Sequence, residues 1–469
     1  MLVLLRSLVV PACAVVLTAC SVTMPAPSVP APTPIDWNAP LPHGGSLTDL
    51  REWWKAQNDP ILLALIDDAQ ALSPTVAVAL SRVETARANE ATAQAGLLPG
   101  VTASLSSGRS VSLPSTPAAT STALTLQTSW EIDVFGAARV ARVALAGQTL
   151  GSQAQWHDAR VSVAAEVAST YYALAHCWKA HAVAEEDLAS RQRSRDISAR
   201  SLQAGMLAPA AYAQVQAEVA QSQLRVIQQS SQCDLSTKAL VALTGEDEAL
   251  VRSVMRGLVL PDDLTGFAVT RIPAQALVQR PDVFAAEHDV ALASAQIGRA
   301  KARRWPGLSL GGSIGALRYG SAGVDTDITT WSFGPLALTL PVFDAGQRAA
   351  MVDAATADYV AAVASYRGKV RQAVREVEEA LVVLDSTLQR EKDTGAVRDA
   401  RLHNLAAAQS RERSGVASTL EVEEARRAVL AARADVLALQ LERKRAWVAL
   451  YRAAGGGWER PVLDAAPKP

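Results

Sequence analysis

Three groups of residues in this chain of 469 could do chemistry by type and spacing. Glu421, Glu423 and Glu424 follow the small-residue break Ser414-Gly415-Val416-Ala417-Ser418-Thr419. Glu421 and Glu424 are three apart and share a helix face, so together they can repel one another or attract cations. Cys177 and Cys233 each lie about 28 residues from a second break at Gly205-Met206. In an antiparallel hairpin they stand level, and an oxidising compartment would join them if their Cα atoms come within about 4.4–6.8 Å. Gln127, Glu131 and Asp133 alternate with apolar residues, which places them on the wet face of a strand. His176 and His181 are five apart and do not share a face well, so no metal site is expected. There is no nucleophile–base constellation and no phosphate-cradling glycine loop. The chain reads as no enzyme, with no cofactor and no catalytic residue.

Long helices must carry the breaks. Val370, Val374, Val377, Leu381, Leu384 and Leu388 step by four and three, a heptad seam. Val161, Ala164, Ala168, Tyr171, Ala175 and Trp178 repeat it, and similar seams run through Val215–Cys233 and Val429–Leu439. No proline interrupts 137–203 or 347–412. Each such helix would be about 100 Å long at 1.5 Å per residue. Glycine just past the helix end permits the left-handed turn that reverses the chain, so Gly205 and Gly415 mark hairpin tips.

Four stretches alternate with period two, over about 101–108, 122–133, 308–317 and 331–342. Gly334-Pro335 predicts a bulge that moves the Trp331/Phe333 face. One face of each strand is apolar and the other polar, yet no spare element could cover the apolar side. That pattern suits a wall with lipid on one side and water on the other. Four strands are too few to close a barrel, and an open edge in lipid is not viable, so copies of the chain must share a wall. An offset of 210 aligns Gly136 with Gly346, Glu166-Val167 with Glu376-Val377, Gly205 with Gly415 and Gly245 with Gly455. The chain is therefore an internal duplication. Its divisions are a leader at 1–19, a proline-rich tether at 20–48, a first repeat at 49–260, a second at 261–457 and a tail at 458–469. The long helices fall at about 137–203, 209–244, 347–412 and 418–454.

Lys and Arg number 45 against 46 Asp and Glu, which argues against a nucleic-acid partner. Arg6 followed by the apolar run Leu8–Leu17 reads as an export signal. Leu17-Thr18-Ala19-Cys20 resembles a bacterial lipobox, which implies cleavage before Cys20 and acylation there, as with palmitate, the only group to be bound covalently. Ser21, rather than Asp, follows it. Pro25, Pro27, Pro30, Pro32 and Pro34 then predict a stiff extended spacer.

The ordered segments Trp53-Trp54 with Asp59-Pro60, SWEIDVFG at 129–136, QRPDVFAAE at 279–287 and LPVFDAGQRAA at 340–350 resemble the TolC-like outer-membrane efflux proteins, in the NodT-type lipoprotein branch. The resemblance implies a mainly α fold with a small transmembrane β part. Coiled-coil hairpins would form an α-barrel, and four strands per protomer a shared 12-stranded barrel in a homotrimer. It implies an outer-membrane, lipid-anchored duct with a long periplasmic extension. The duct would export small molecules such as drugs, with a periplasmic adaptor and an inner-membrane transporter of the RND type as partners. Gly205, Met206, Gly415 and Val416 would meet the adaptor. Glu421 and Glu424, tripled, would make a constriction. Ala211 and Ala417 stand where some members place a charged latch, so the expectation is a gate of close-packed helices with an acidic ring behind it. Two alternatives remain: a duct for type I protein secretion, or a non-conducting coiled-coil lipoprotein of the envelope.

Overall fold

The structure, a computed structural model, describes residues 23–33, 52–111, 117–256, 258, 264, 266 and 280–461. Cys20, the leader and most of the tether lie outside the described residues, as does the tail beyond residue 461. The elements run α1 (Trp53–Ala56), α2 (Pro60–Leu72), α3 (Pro74–Ala95), β1 (Gly100–Ser110), β2 (Ala119–Ile132), α4 (Ala137–Gln203), α5 (Pro209–Thr244) and α6 (Glu248–Arg256). Then follow α7 (Pro281–Ala302), β3 (Gly307–Ser321), β4 (Val324–Thr339), α8 (Gln347–Arg413) and α9 (Thr419–Ala453). No single helix among the described residues is long and apolar enough to cross a membrane.

The chain forms two compact units, and they do not follow the two repeats. One holds Leu80–Gln155 and Phe284–Lys369 with the N-terminal residues to Pro32; the other holds Thr33–Ala79, Trp156–Val283 and Val370–Pro469. The physical reason is in the sheet, where β2 of the first repeat pairs with β3 of the second.

In the first unit the strands lie in the order β1-β2-β3-β4, every pair antiparallel. Register places Ala103, Leu126 and Ile314 side by side, and Thr102, Gln127 and Ser313 on the opposite face. At the β3–β4 pairing the register skips: Leu310 faces Leu336, but Gly312 faces Phe333. Gly311 thus opposes the Gly334-Pro335 pair, a bulge where the sequence predicts one. Without it, Trp331 and Phe333 would point opposite to Leu336 and Leu338; with it, all four share the apolar face. Hydroxyls line the other face, with Ser313 and Ser332 2.8 Å apart and Thr102 and Ser104 beside Gln127 and Thr125. Strand β4 starts seven residues ahead of the alternation that announced it, because Val324–Thr330 is mostly polar and carries a weak pattern.

The second unit is built on packed helices. Val161, Val167, Tyr171, Leu174, Val377, Leu381, Leu384, Trp447 and Leu450 bury together. Leu388, expected on the seam, is exposed, and Thr387 is buried instead. An α-helix drifts against a strict heptad, so the seam walks off its first register. Asp59 organises the entry to this core. Its side chain caps α2 by accepting from the Leu62 amide at 3.1 Å, and it accepts from the Tyr171 hydroxyl at 2.7 Å. Trp53 stacks on Tyr451 with ring centroids 4.9 Å apart. Burial, with Asp59 beside it, pushes the Tyr171 hydroxyl well above its ordinary range, so it remains a donor.

Replacing Asp59 by Ala removes a cap worth about 1 kcal/mol and strands a buried phenol at a cost of about 1–3 kcal/mol. Chemical denaturation should show Asp59→Ala losing more than Tyr171→Phe. The double variant should lose less than the sum, since the phenol is then gone.

Candidate functional site: the hairpin tips and the uncovered sheet

At both tips the sequence dictates the same turn. Gly205 and Gly415 sit at φ +72° and +74°, a region L side chains avoid. The amide of Met206 donates to the Ser201 carbonyl and that of Val416 to the Arg411 carbonyl, each at 2.8 Å. This is the six-to-one bond of a Schellman motif, and it uses up a carbonyl the helix end leaves free. The result is two matching tips, each ending in one apolar side chain turned to solvent, Met206 at 78% and Val416 at 77% exposure.

Behind the second tip Ser418 caps α9, accepting from the Glu421 amide at 3.3 Å. The three glutamates then part company. Glu421 is ion-paired with Arg411, across the turn from α9 to α8. Glu424 is exposed and has no ion pair among the described residues. Glu423 is buried, and its carboxylate accepts both Nε and Nη2 of Arg193 at 2.9 and 3.0 Å. Ser190 donates to the Glu423 backbone carbonyl at 3.3 Å, and Arg427 reaches Ser194 at 2.9 Å. Five residues of α4 and α9, Ser190, Arg193, Ser194, Glu423 and Arg427, therefore tie the first hairpin to the second.

The structure adds a charged contact that the sequence analysis did not expect: the ion pair Arg193–Glu423, away from Ala211 and Ala417. Sequence reasoning passed over Glu423 because helical spacing pairs 421 with 424. The missed signal is that Glu423 lies beside Val422 and falls seven residues, two turns, before the buried Leu430, on the seam side of α9. Burial alone would raise the Glu423 carboxyl. Its bonds to Arg193 and Ser190, with the charges of Arg426 and Arg193, outweigh that and hold it below its ordinary value.

Farther along the first hairpin, Cys177 and Cys233 are joined, with Cα atoms 5.5 Å apart. Their positions 210 residues on hold Thr387 and Arg443, so the second hairpin lacks the bond. It is held by ion pairs instead, Arg443–Glu391 and Arg390–Glu442, both at 2.7 Å.

Of the strand residues, Gln127 and Glu131 lie on the hydroxyl-lined face, opposite Ser313 and Ser309. Asp133 does not belong with them. It lies past the end of β2, where it accepts the Arg139 amide at 3.0 Å and braces the start of α4. Asp344 does the same for α8, bonding the amides of Gly346 and Arg348 and the Arg348 side chain. The apolar face carries Val101, Leu105, Trp331, Phe333, Leu336 and Leu338, all at least 64% exposed. Nothing among the described residues covers it, and the outer edges of β1 and β4 have no strand beside them. No group of His, Cys, Asp or Glu among the described residues could hold a metal ion.

A family model for outer membrane efflux proteins matches residues 65–246 and 272–456. The chain belongs to the outer membrane efflux protein family. The pyoverdine export outer membrane protein OpmQ of Pseudomonas putida is 29% identical over 449 residues, covering 91% of this chain and 92% of that one. Nodulation protein T of Rhizobium leguminosarum bv. trifolii is 27% identical over 423 residues, 88% of this chain and 89% of its own. A crystal structure of a membrane protein from Pseudomonas aeruginosa superposes with a TM-score of 0.78 at 28% identity, over 93% of this chain and all of that one. The fold is TolC-like, mainly helical with a four-stranded sheet, and the two family matches span the two repeats. This efflux protein is an outer-membrane channel component with a long periplasmic helical part. In such a protein the exposed apolar face of the sheet meets lipid.

Two outcomes follow for this ion pair. Glu423→Ala should cost the helical unit about 1–2 kcal/mol in denaturant unfolding, as a charge-assisted bond between a buried carboxylate and a half-exposed guanidinium is lost. Because the folded carboxyl titrates below its unfolded value of 4.5, its contribution is present above that value. It should fade as the pH falls through the lower folded value. A stability–pH profile of wild type against Glu423→Gln should therefore converge in acid and separate at neutral pH. For the staple, closing a span of 56 residues stabilises by about 4 kcal/mol on the chain-entropy model. Proteolysis at the Met206 tip should leave two fragments that part on gels only with reductant.

Proposed function

We propose that this efflux protein is the passive exit duct of a three-part pump and works as a homotrimer, exporting small molecules without covalent chemistry of its own. One observation carries the reading: a four-stranded sheet with an uncovered apolar face and two open edges. Such edges in lipid demand partner strands. Three copies give twelve strands, enough to close around water, whereas two give only the minimum of about eight. The hydroxyl-lined face with Gln127 and Glu131 then borders the lumen.

The matched exposed tips at Gly205-Met206 and Gly415-Val416 are the docking points for a periplasmic adaptor, which links the duct to an inner-membrane transporter, in our reading of the RND type. Energy comes from that transporter, because the sequence offers no nucleotide cradle. Cys20 is acylated and anchors the chain to the outer membrane. Glu421 and Glu424 face the narrowing behind the tips, with Glu424 the freer of the two and Glu421 tempered by Arg411. Small molecules are favoured over secreted proteins as cargo because a relative sharing nine-tenths of its length is named for pyoverdine export.

A deletion strain should become sensitive to small toxic compounds while its secreted proteins stay unchanged. The reverse pattern would favour the secretion duct. In planar bilayers, Glu421→Ala/Glu424→Ala should weaken cation selectivity and block by divalent cations; unchanged selectivity would remove both residues from the constriction. A monomeric mass for the detergent-extracted protein would defeat the shared-barrel reading.

A further inference from the structure

The first described residues do not behave as a free spacer. Thr23–Ala26 lies against α7 and α8 of the sheet-bearing unit. Lys301 donates to the Thr23 carbonyl and Ser294 to the Pro25 carbonyl, both at 2.7 Å, and Tyr359 donates to the Ala26 carbonyl at 2.9 Å. Between Ser294 and Lys301 sits Gly298, where an added Cβ would run into the Met24 sulfur. Residues 294, 298 and 301 step by four and three, so they form one stripe of α7. Glycine leaves a hole in that stripe, and Met24 fills it. Proline 25 contributes a carbonyl but no amide, which suits a segment held only through its acceptors.

The strap has a direction. Thr23 meets Lys301, nearer the end of α7, and Pro25 meets Ser294, two turns back. The chain therefore runs antiparallel to α7, with its N-terminal end toward the α7–β3 junction. Cys20 is three residues ahead of Thr23, within about 10 Å at full extension. At that junction stand Arg303 and Arg304, both exposed and neither in an ion pair among the described residues. Trp305 follows at 46% exposure, its ring stacked 5.9 Å from Phe135, and β3 begins at Gly307. Phe343, 89% exposed, borders the same end of the sheet just past β4. Half-exposed aromatic rings at the foot of membrane strands mark the water–lipid boundary.

We propose that the end of α7 is the receiving site of the lipid anchor: the Thr23–Ala26 strap delivers Cys20 to it, and Arg303 and Arg304 bind phospholipid phosphates of the leaflet that holds the acyl chains. The strap part rests on the acylation of Cys20 proposed above; the arginine part does not. A guanidinium matches a phosphate diester with paired N–H donors, and two unpaired guanidiniums beside an interfacial tryptophan favour an anionic headgroup over a zwitterionic one.

Native mass spectrometry of the full-length protein, released from detergent with phosphatidylglycerol or phosphatidylcholine added, tests this. Wild type should retain phosphatidylglycerol severalfold better than phosphatidylcholine, and an equal concentration of inorganic phosphate should not displace it. Arg303→Gln/Arg304→Gln should lose that preference, and the Lys/Lys variant should keep most of it. Equal retention by wild type and the Gln/Gln variant would overturn the site, as would displacement by inorganic phosphate. The same spectra report the acyl mass on Cys20. Its absence sinks the anchor reading while the lipid comparison still decides the arginines. For the strap, an Ala26→Cys reporter should react slowly with a maleimide and at least severalfold faster once Gly298→Leu evicts Met24; equal rates would show that the strap is not seated.

Discussion

Everything in this molecule answers to a sheet that cannot finish itself. Four strands expose a continuous greasy face and two rows of backbone donors and acceptors, and each defect is costly in water. In lipid the face is satisfied, but the edges become more demanding, because the bilayer core offers no hydrogen bonds. In the proposed duct, membrane insertion and sharing of strands between chains are thus solutions to one problem rather than two separate properties. The bulge at Gly311 and Gly334-Pro335 belongs to the same logic, since it keeps Phe333 and Leu336 on the side that lipid will touch.

The helical part obeys a different rule. Helices of 67 residues gain little from propensity alone and are stable because seams of small and branched residues zip them together. Into that apolar seam the chain sets one buried carboxylate, Glu423, matched by Arg193. A buried carboxylate that needs a cation from one neighbouring helix adds little stability relative to an apolar side chain, but it specifies which neighbour is correct. It joins two hairpins near their tips through a contact of charge rather than of packing.

Much of this could be read from the residues. The period of two at Leu124–Ile132, the heptads, the paired glycines at an offset of 210 and the cysteines level about Gly205 each carry their geometry in their spacing. Local chemistry alone fixes those features. What escaped was non-local. Whether Glu421 or Glu423 is buried depends on a neighbouring helix more than two hundred residues away in sequence. Asp133 continues the strand alternation by one step, yet the chain turns there and the carboxylate braces a helix. The proline-rich segment reads as a spacer because nothing in its own composition shows that Gly298 has left room for Met24.

The cysteine bridge occurs in only one of two otherwise matching hairpins. A duplicated gene has thus produced siblings of unequal temperament. Both carry charge pairs that loosen in brine or acid, but only the first copy also owns a link that neither ions nor protons can slacken. In salt or acid the first hairpin therefore keeps a tie that the second does not have.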